Sequence, residues 1–194
     1  MPNFADRPVF KRVGASDLEN RLEVLRDGNF PERAIDRCRA DDPGDTPALH
    51  QTRQFALQRD RTVLVLLGGT GCGKTTAATW AAREVGGGRP GFIRAETLER
   101  RGRYDHECAS WVERRSLLVV DDLGVEYLDG KGAFASLLDG LVDDFYSNRR
   151  RLVITSNLDP AGLRARLTDR IWSRICEAAT VASCGSVDLR RGGQ

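Results

Sequence analysis

The stretch that most restricts the fold of this chain is a glycine-rich loop between an apolar run and an alanine-rich run. Residues 62–67 are apolar and partly β-branched, which is typical of a buried parallel strand. Residues 75–85 favour a helix, which the glycines at 86–88 end. The sequence GGTGCGKT over residues 68–75 has the spacing of a phosphate-binding P-loop, and its flanks give the motif the context it needs.

The chemistry of such a loop predicts a nucleotide site. Glycines let successive backbone N–H groups face one concavity, and the helix N-terminus adds positive potential there. Lys74 would reach the β- and γ-phosphates, and the Thr75 hydroxyl would help to hold Mg²⁺. The alternative, a glycine loop without a ligand, does not explain why every required position is filled. The predicted nucleotide-binding residues are Gly68, Gly69, Thr70, Gly71, Cys72, Gly73, Lys74, Thr75 and Thr76.

A second apolar run ends in two adjacent acids. Residues 117–120 are apolar, and Asp121 and Asp122 follow them directly. Ligands in open α/β sheets bind at the carboxyl ends of the strands, where these acids would lie. Neighbouring residues of an extended chain point in different directions. We therefore assign Asp121 to Mg²⁺, through water, and Asp122 to polarising an attacking water. The alternative is a solvated Asp-Asp turn after a core strand.

A third apolar run, residues 151–158, predicts a strand that carries Asn157 at its end. Asn157 would lie beside the P-loop and orient water against the γ-phosphate, although an asparagine is also common in a turn before a proline. Residues 163–176 are predicted as one helix with an arginine-rich side. Residues 179–190 are predicted as a short hairpin around Gly185.

The remaining pattern predicts a small N-terminal region and one larger α/β unit. We expect a loosely ordered arm over residues 1–15 and a core over residues 46–194, so that residues 1–45 form a short arm with helices. Further helices are predicted over residues 17–27, from residue 31, from residue 47, and over residues 96–101, 104–114 and 131–147, with a strand over residues 90–95.

Composition excludes several classes of site. Lys plus Arg is 30 and Asp plus Glu is 28, so bulk charge gives no argument for nucleic acid. The cations are almost all arginine, which genome base composition explains, although arginine also binds phosphates well. The five cysteines form no CxxC pair, so a zinc site is not indicated, and they suit reduced thiols in a cytoplasm. No apolar segment is long enough to predict a membrane span.

Taken together, residues 64–77, 117–124, 152–158 and 169–190 resemble the AAA+ ATPases, in particular the DnaC/IstB-type helicase loaders and transposition helper ATPases. The sequences LLVVDDLG, LVITSNL and DRIWSRI carry most of the resemblance. It implies an α/β P-loop NTPase of three αβα layers, with a central parallel sheet, a short helical N-terminal extension and no C-terminal helical lid. It also implies that Arg174, or failing that Arg170, is an arginine finger that completes a neighbouring subunit's site.

The same resemblance implies ATP hydrolysis with Mg²⁺ by a homo-oligomer that forms on ATP binding, in the cytoplasm and away from membranes. The implied partner is a replicative helicase or a transposase. Single-stranded DNA is a further candidate partner, weakly supported by the arginines at 149–151 and 100–103. Two other interpretations stay open: a small P-loop kinase of nucleotides or metabolites, and an adaptor that binds ATP without hydrolysing it.

Overall fold

The computed structural model describes residues 14–40, 44–58, 61–102, 105–124, 132–185 and 188–189. Most of the predicted N-terminal arm, residues 1–13, lies outside the described residues. The elements are α1 (Ala15–Asp27), α2 (Glu32–Arg37), α3 (Pro47–Leu57), β1 (Val63–Leu67), α4 (Lys74–Val85), β2 (Pro90–Arg94), α5 (Ala95–Gly102), α6 (His106–Glu113), β3 (Leu117–Leu123), α7 (Ala133–Ser147), β4 (Arg151–Ser156), α8 (Pro160–Arg166), α9 (Asp169–Ala178) and β5 (Ala179–Ser183).

The described strands form one five-stranded sheet in the order β2-β3-β4-β1-β5. Every pair is parallel, and Val63 of β1 lies opposite Leu152 of β4 and Ala179 of β5. All carboxyl ends therefore meet at one edge, with the ends of β3 and β4 beside the loop that follows β1. The predicted α/β fold with a central parallel sheet is confirmed.

Helices cover both faces of the sheet, which gives three layers. On one face, α1 to α4 pack against alternate strand residues such as Leu64 and Leu66, around the fully buried Trp80. On the other face, α5 to α9 pack against Val63 and Val65. A parallel strand buried on both faces reads as a continuous apolar run, which is why β1 could be recognised in the sequence.

The N-terminal helices also cover the outer edge of β2. The Phe92 N–H group donates to the Gly28 carbonyl at 2.8 Å, and the Phe30 and Phe92 rings lie 5.5 Å apart. A Cβ atom at Gly28 would stand 2.5 Å from the Pro90 carbonyl oxygen, so only glycine allows this approach. The segment that follows α1 thus takes the place of a further strand beside β2.

Two expectations about the C-terminal part were wrong. The predicted helix over residues 163–176 is two helices, because Leu167 is extended and the Thr168 hydroxyl caps α9 by accepting from the Ile171 N–H at 3.2 Å. The first arm of the predicted hairpin is instead β5, a parallel edge strand on β1. Residues 186–187 lie outside the described residues, and Leu189 is not in a strand.

After β5 the chain turns toward the P-loop. The Leu189 N–H donates to the Gly71 carbonyl at 3.1 Å, so the tail contacts the loop and does not return along β5. In the described residues no helix follows β5. Among the helices that the structure describes, none combines the length and the apolar composition that crossing a bilayer requires.

Candidate active site

The glycine loop joins the end of β1 to the start of α4, as the motif requires. Gly71 and Gly73 have φ angles of +84° and +92°, a left-handed conformation that side chains rarely adopt. Gly73 is the N-cap of α4, so the amide groups at the start of this helix face the loop. The loop therefore has the concave backbone that binds phosphate oxygens.

Lys74 is almost fully buried, and its ammonium group spans the loop. Its Nζ atom donates to the carbonyls of Gly68 and Gly69 and to Asn157 Oδ1, each at 2.8 Å. It also lies 3.7 Å from the sulfur of Cys72, a residue only 2% exposed. Cys72 is thus a small packed residue of the loop. The bonds of Lys74 show that β4 delivers Asn157 beside the P-loop, as its position predicts.

Asp121 ends the buried part of β3 and is held by two hydroxyl groups. Its Oδ1 atom accepts from Thr155 Oγ1 at 2.7 Å and from Thr75 Oγ1 at 3.1 Å. Burial raises the pKa of Asp121 above its ordinary value, although the hydrogen bond from Thr155 opposes this. Within the described ranges, no lysine or arginine forms an ion pair with Asp121; the charge of Arg94 lowers its pKa slightly and that of Asp122 raises it.

The sequence argument attributed the different directions of Asp121 and Asp122 to an extended chain, and this was wrong. An irregular backbone at Asp122 sets the direction of its side chain. Its φ angle is +59°, in the left-handed region, and the β3–β4 register shifts between Val120 and Leu123. The Asp122 N–H group donates to Thr155 Oγ1 at 3.0 Å. The Asp122 carboxylate consequently faces the cleft, where Oδ1 lies 3.4 Å from Asn157 Nδ2.

Thr155 joins the two acids and was missed by sequence reasoning. Its hydroxyl is fully buried, donates to Asp121 and accepts from the backbone of Asp122. The signal that could have revealed it is a hydroxyl residue near the carboxyl end of an apolar strand, two positions before Asn157. Such a residue supports the functional groups of its neighbours.

Lys74, Asp122 and Asn157 line one cleft of about 220 Å³, whereas Cys72, Asp121 and Thr155 are not among its lining residues. Sequence reasoning did not identify Arg37, which comes from α2. The lining residues are Arg37, Thr70, Gly71, Gly73, Lys74, Thr75, Thr76, Asp122 and Asn157.

Arg170 and Arg174 do not line this cleft in their own chain. Arg174 forms an ion pair with Asp143 of α7. Arg170 lies 3.3 Å from the same carboxylate and 3.4 Å from Asp139. Both arginines therefore stand on the face where α9 packs against α7.

The arginines considered for DNA contact are mostly bound within the chain. Arg150 pairs with Asp144, and Arg151 donates to two backbone carbonyls at 3.1 and 3.0 Å. Arg101 pairs with Asp105 at 2.6 Å and lies in α5, not in a loop. Arg103 lies outside the described residues.

The oxygen donors of the cleft fit Mg²⁺. In the described part of the chain, no group of three or more His, Cys, Asp or Glu side chains could hold a metal ion unaided. Mg²⁺ does not need such a cage, because it keeps several waters and binds one or two carboxylates plus substrate phosphates. Asp121 offers a buried carboxylate, and Thr75 places a hydroxyl beside it.

Comparisons with known proteins agree with this geometry. The sequence model of a family described as "IstB-like ATP binding protein" matches residues 43–181. No curated protein matches the sequence significantly.

Solved structures share the fold at low sequence identity. The crystal structure of the DnaC helicase loader is 24% identical with a TM-score of 0.59, and the match covers 71% of this chain and 88% of that one. The crystal structure of DnaI is 20% identical with a TM-score of 0.59, covering 77% and 87%. AMPPCP-bound DnaA from Aquifex aeolicus is 19% identical with a TM-score of 0.56, covering 72% of this chain and 47% of that one.

Proposed function

This chain belongs to the family of IstB-like ATP-binding proteins, and we propose that it hydrolyses ATP as an oligomer that acts in DNA replication, in the manner of a helicase loader. The observation that carries the proposal is that Lys74, Asp122 and Asn157 line one cleft, with Asp121 bonded to Thr75 at its side. A phosphate-binding loop alone would support binding. The acids and the amide opposite it supply what hydrolysis needs in addition.

Each cleft residue has a distinct role in the proposed reaction. The loop amides and Lys74 hold the phosphates, and Lys74 exchanges its carbonyl partners for phosphate oxygens. Thr75 and Asp121 would hold Mg²⁺, which neutralises charge on the phosphates when it is bound. Asp122 orients and polarises the attacking water, with Asn157 beside it. Thr155 keeps both acids in place.

In the proposed oligomer, a neighbouring subunit supplies a further cation for the γ-phosphate. Arg174 is our first candidate for an arginine finger acting on the neighbouring subunit, and Arg170 is the second. Their position outside the cleft of their own chain supports a role in trans. Because Asp143 binds Arg174 within the chain, assembly on ATP would have to release or share that ion pair.

The proposed partner is a replicative helicase. This is supported by folds similar to those of the DnaC helicase loader and of DnaI, which this chain matches over most of their length. A structure of DnaA bound to AMPPCP and single-stranded DNA, 18% identical with a TM-score of 0.53, adds single-stranded DNA as a proposed ligand. DNA binding that does not weaken steeply as salt rises would remove phosphate contacts from the proposal.

The family match itself favours a second candidate, a transposition helper that engages a transposase. Complex formation in ATP with a purified replicative helicase, compared with a purified transposase from the same host, separates the two roles. Release of inorganic phosphate without a phosphorylated acceptor would exclude a small kinase. Turnover of ATP would exclude an adaptor that only binds it.

A mixing experiment tests the ATPase and its shared site together. We expect Lys74→Ala to lose ATP binding, and Arg174→Ala to bind ATP but to lose about 10³- to 10⁵-fold in hydrolysis. Mixed, the two variants rebuild complete sites wherever an intact P-loop meets an intact finger, so part of the activity should return.

In that experiment, each component of the proposal has its own contradicting outcome. Full hydrolysis by Lys74→Ala would remove the P-loop from the reaction. Full hydrolysis by Arg174→Ala would remove the finger. If both single variants are inactive and mixing restores nothing although the two variants co-assemble in ATP, Arg174 does not act on a neighbour.

A further inference from the structure

We propose that Arg37, the last residue of α2, binds the α- and β-phosphates of the nucleotide and so makes the N-terminal helices part of the ATP site. The inference rests on the ATP-binding function proposed above and adds a ligand that the P-loop motif does not contain. Arg37 lies 31 positions before Gly68, so no motif spacing could have identified it.

The first argument is the position of Arg37. It lines the same cleft as Lys74, Thr75 and Thr76, and its side chain is exposed. Among the described residues, the Arg37 side chain forms neither a hydrogen bond nor an ion pair, whereas its neighbour Arg39 is held by Glu19 at 2.7 Å. An exposed guanidinium on the rim of a phosphate-binding cleft is therefore available to a ligand.

The second argument is that the backbone next to Arg37 is fixed to α4. The buried Arg83 of α4 donates from one Nη1 atom to the carbonyls of Cys38 and Ala40, the latter at 3.0 Å. The Cys38 sulfur lies 3.6 Å from the Thr76 carbonyl. These contacts attach the end of α2 to the helix whose N-terminus forms the P-loop, so Arg37 is presented to the cleft from a rigid base.

The third argument assigns the phosphates. Cys38 contacts Thr76, which directly follows the motif, and the amides of this part of the loop take the α- and β-phosphates. Asp122 belongs to β3 and Asn157 directly follows β4, at the edge where the γ-phosphate and its water would lie. A guanidinium that enters from the Thr76 side fits two oxygens of the inner phosphates in bidentate fashion.

The test compares Arg37→Gln with Arg33→Gln. Arg33 lies one turn earlier on α2, is exposed and does not line the cleft, so it matches the charge change without the contact. Affinities for ATP and for ADP are measured with Mg²⁺ by titration calorimetry. We expect Arg37→Gln to weaken both by about tenfold, the effect of losing a charge-assisted hydrogen bond, and Arg33→Gln to match the parent.

The outcomes separate this inference from the ATP site itself. If Lys74→Ala keeps parental affinity, the proposed ATP site fails. If Lys74→Ala loses binding while Arg37→Gln binds both nucleotides like the parent, only the role of Arg37 is overturned. A loss confined to ATP would contradict contact with the inner phosphates. Partial recovery in Arg37→Lys would support a charge contact.

Discussion

The carboxyl and amino edges of the sheet both carry polar side chains but use them differently. At the carboxyl edge, functional side chains bond to one another beside a cleft: Lys74 to Asn157, and Thr155 and Thr75 to Asp121. At the amino edge, arginines bond to backbone carbonyls. Arg61 donates to the backbone carbonyl of Glu177 at 2.9 Å, and Arg151 donates to the backbone carbonyl of Phe55 at 3.1 Å.

Two further arginines extend the pattern at the amino edge. Arg115 donates to the Trp111 carbonyl at 2.9 Å and stacks over that ring at 4.3 Å. Arg150 donates to the Glu113 carbonyl at 2.7 Å and also to that of Arg115. These cations join the ends of helices to the starts of strands. The comparison teaches that charge marks a candidate site where a cation, carboxylates and an amide gather around a phosphate-binding loop, and not where cations only join helices to strands.

Among the substitutions that test this comparison, we expect the largest loss of ATP hydrolysis from one at the carboxyl edge. Thr155→Val removes the donor to Asp121 and the acceptor for the Asp122 N–H. We expect hydrolysis to fall about 10- to 100-fold, the usual cost of losing a supporting group behind functional residues. Phosphate release at saturating ATP measures this.

The matched control for that variant is Thr52→Val in α3. Thr52 is equally buried and donates to the Ala48 carbonyl at 2.8 Å, remote from the acids. Its turnover should equal that of the parent. Equal losses in both variants would mean that buried hydroxyl groups matter only for the fold.

An intermediate effect is expected at the amino edge, on stability alone. Arg151→Met keeps an apolar stem over the Phe55 ring but loses the bonds to two carbonyls of the α3 end. We expect the free energy of unfolding to fall by about 1–2 kcal/mol with ATP turnover unchanged. Denaturant unfolding and a turnover assay check the two halves.

Arg89→Met provides the reference at the same edge, because Arg89 is exposed and its hydrogen bonds to described residues are made by its backbone, whose N–H donates to the Ser116 hydroxyl and whose carbonyl accepts from the Ser116 N–H. A surface change of this kind shifts the free energy of unfolding by no more than about 0.5 kcal/mol. If Arg151→Met lowered turnover while stability held, the amino edge would have a functional role and the contrast between the edges would be lost.

The smallest effect is a pH dependence at Asp121. Burial raises the pKa of Asp121 in the folded state, so between its unfolded and folded pKa values the folded chain binds more protons. The contribution of Asp121 to the free energy of unfolding therefore falls as pH rises through that window. Asn does not titrate, so Asp121→Asn should gain stability relative to the parent as pH rises.

Denaturant unfolding without nucleotide, from about pH 3 to about pH 7, measures that difference. A difference that moves in the parent's favour as pH rises would mean that the folded state favours the charged form of Asp121. The carboxylate would then need a stronger internal partner than the Thr75 and Thr155 hydroxyls.

Sequence patterns identified the elements that are buried on both faces. The strand–loop–helix unit and the strands before Asp121 and Asn157 are continuous apolar runs whose ends carry the chemistry. The strands are parallel, so their carboxyl ends meet at one edge of the sheet. This is why the sequence could also place these polar residues near one another.

What could not be predicted depends on contacts between distant parts of the chain. Thr155 accepts a hydrogen bond from the backbone of Asp122. Asp122 has a left-handed conformation, which the sequence does not indicate because no glycine stands at that position. Ala179–Ser183 pairs with β1, which lies more than a hundred positions earlier. The local sequence is equally compatible with a hairpin, so it does not indicate this distant pairing. Arg37 lines the cleft from α2, whose end is bonded to the distant Arg83.

The bond between Phe92 and Gly28 has a consequence for shortened versions of this protein. A fragment that began at the predicted core boundary, residue 46, would lack the segment that covers β2. The outer backbone amide and carbonyl groups of β2 would then be unpaired and exposed. Such unpaired groups recruit strands from other molecules. Fragments cut there should therefore be prone to self-association and precipitation, even with every catalytic side chain retained.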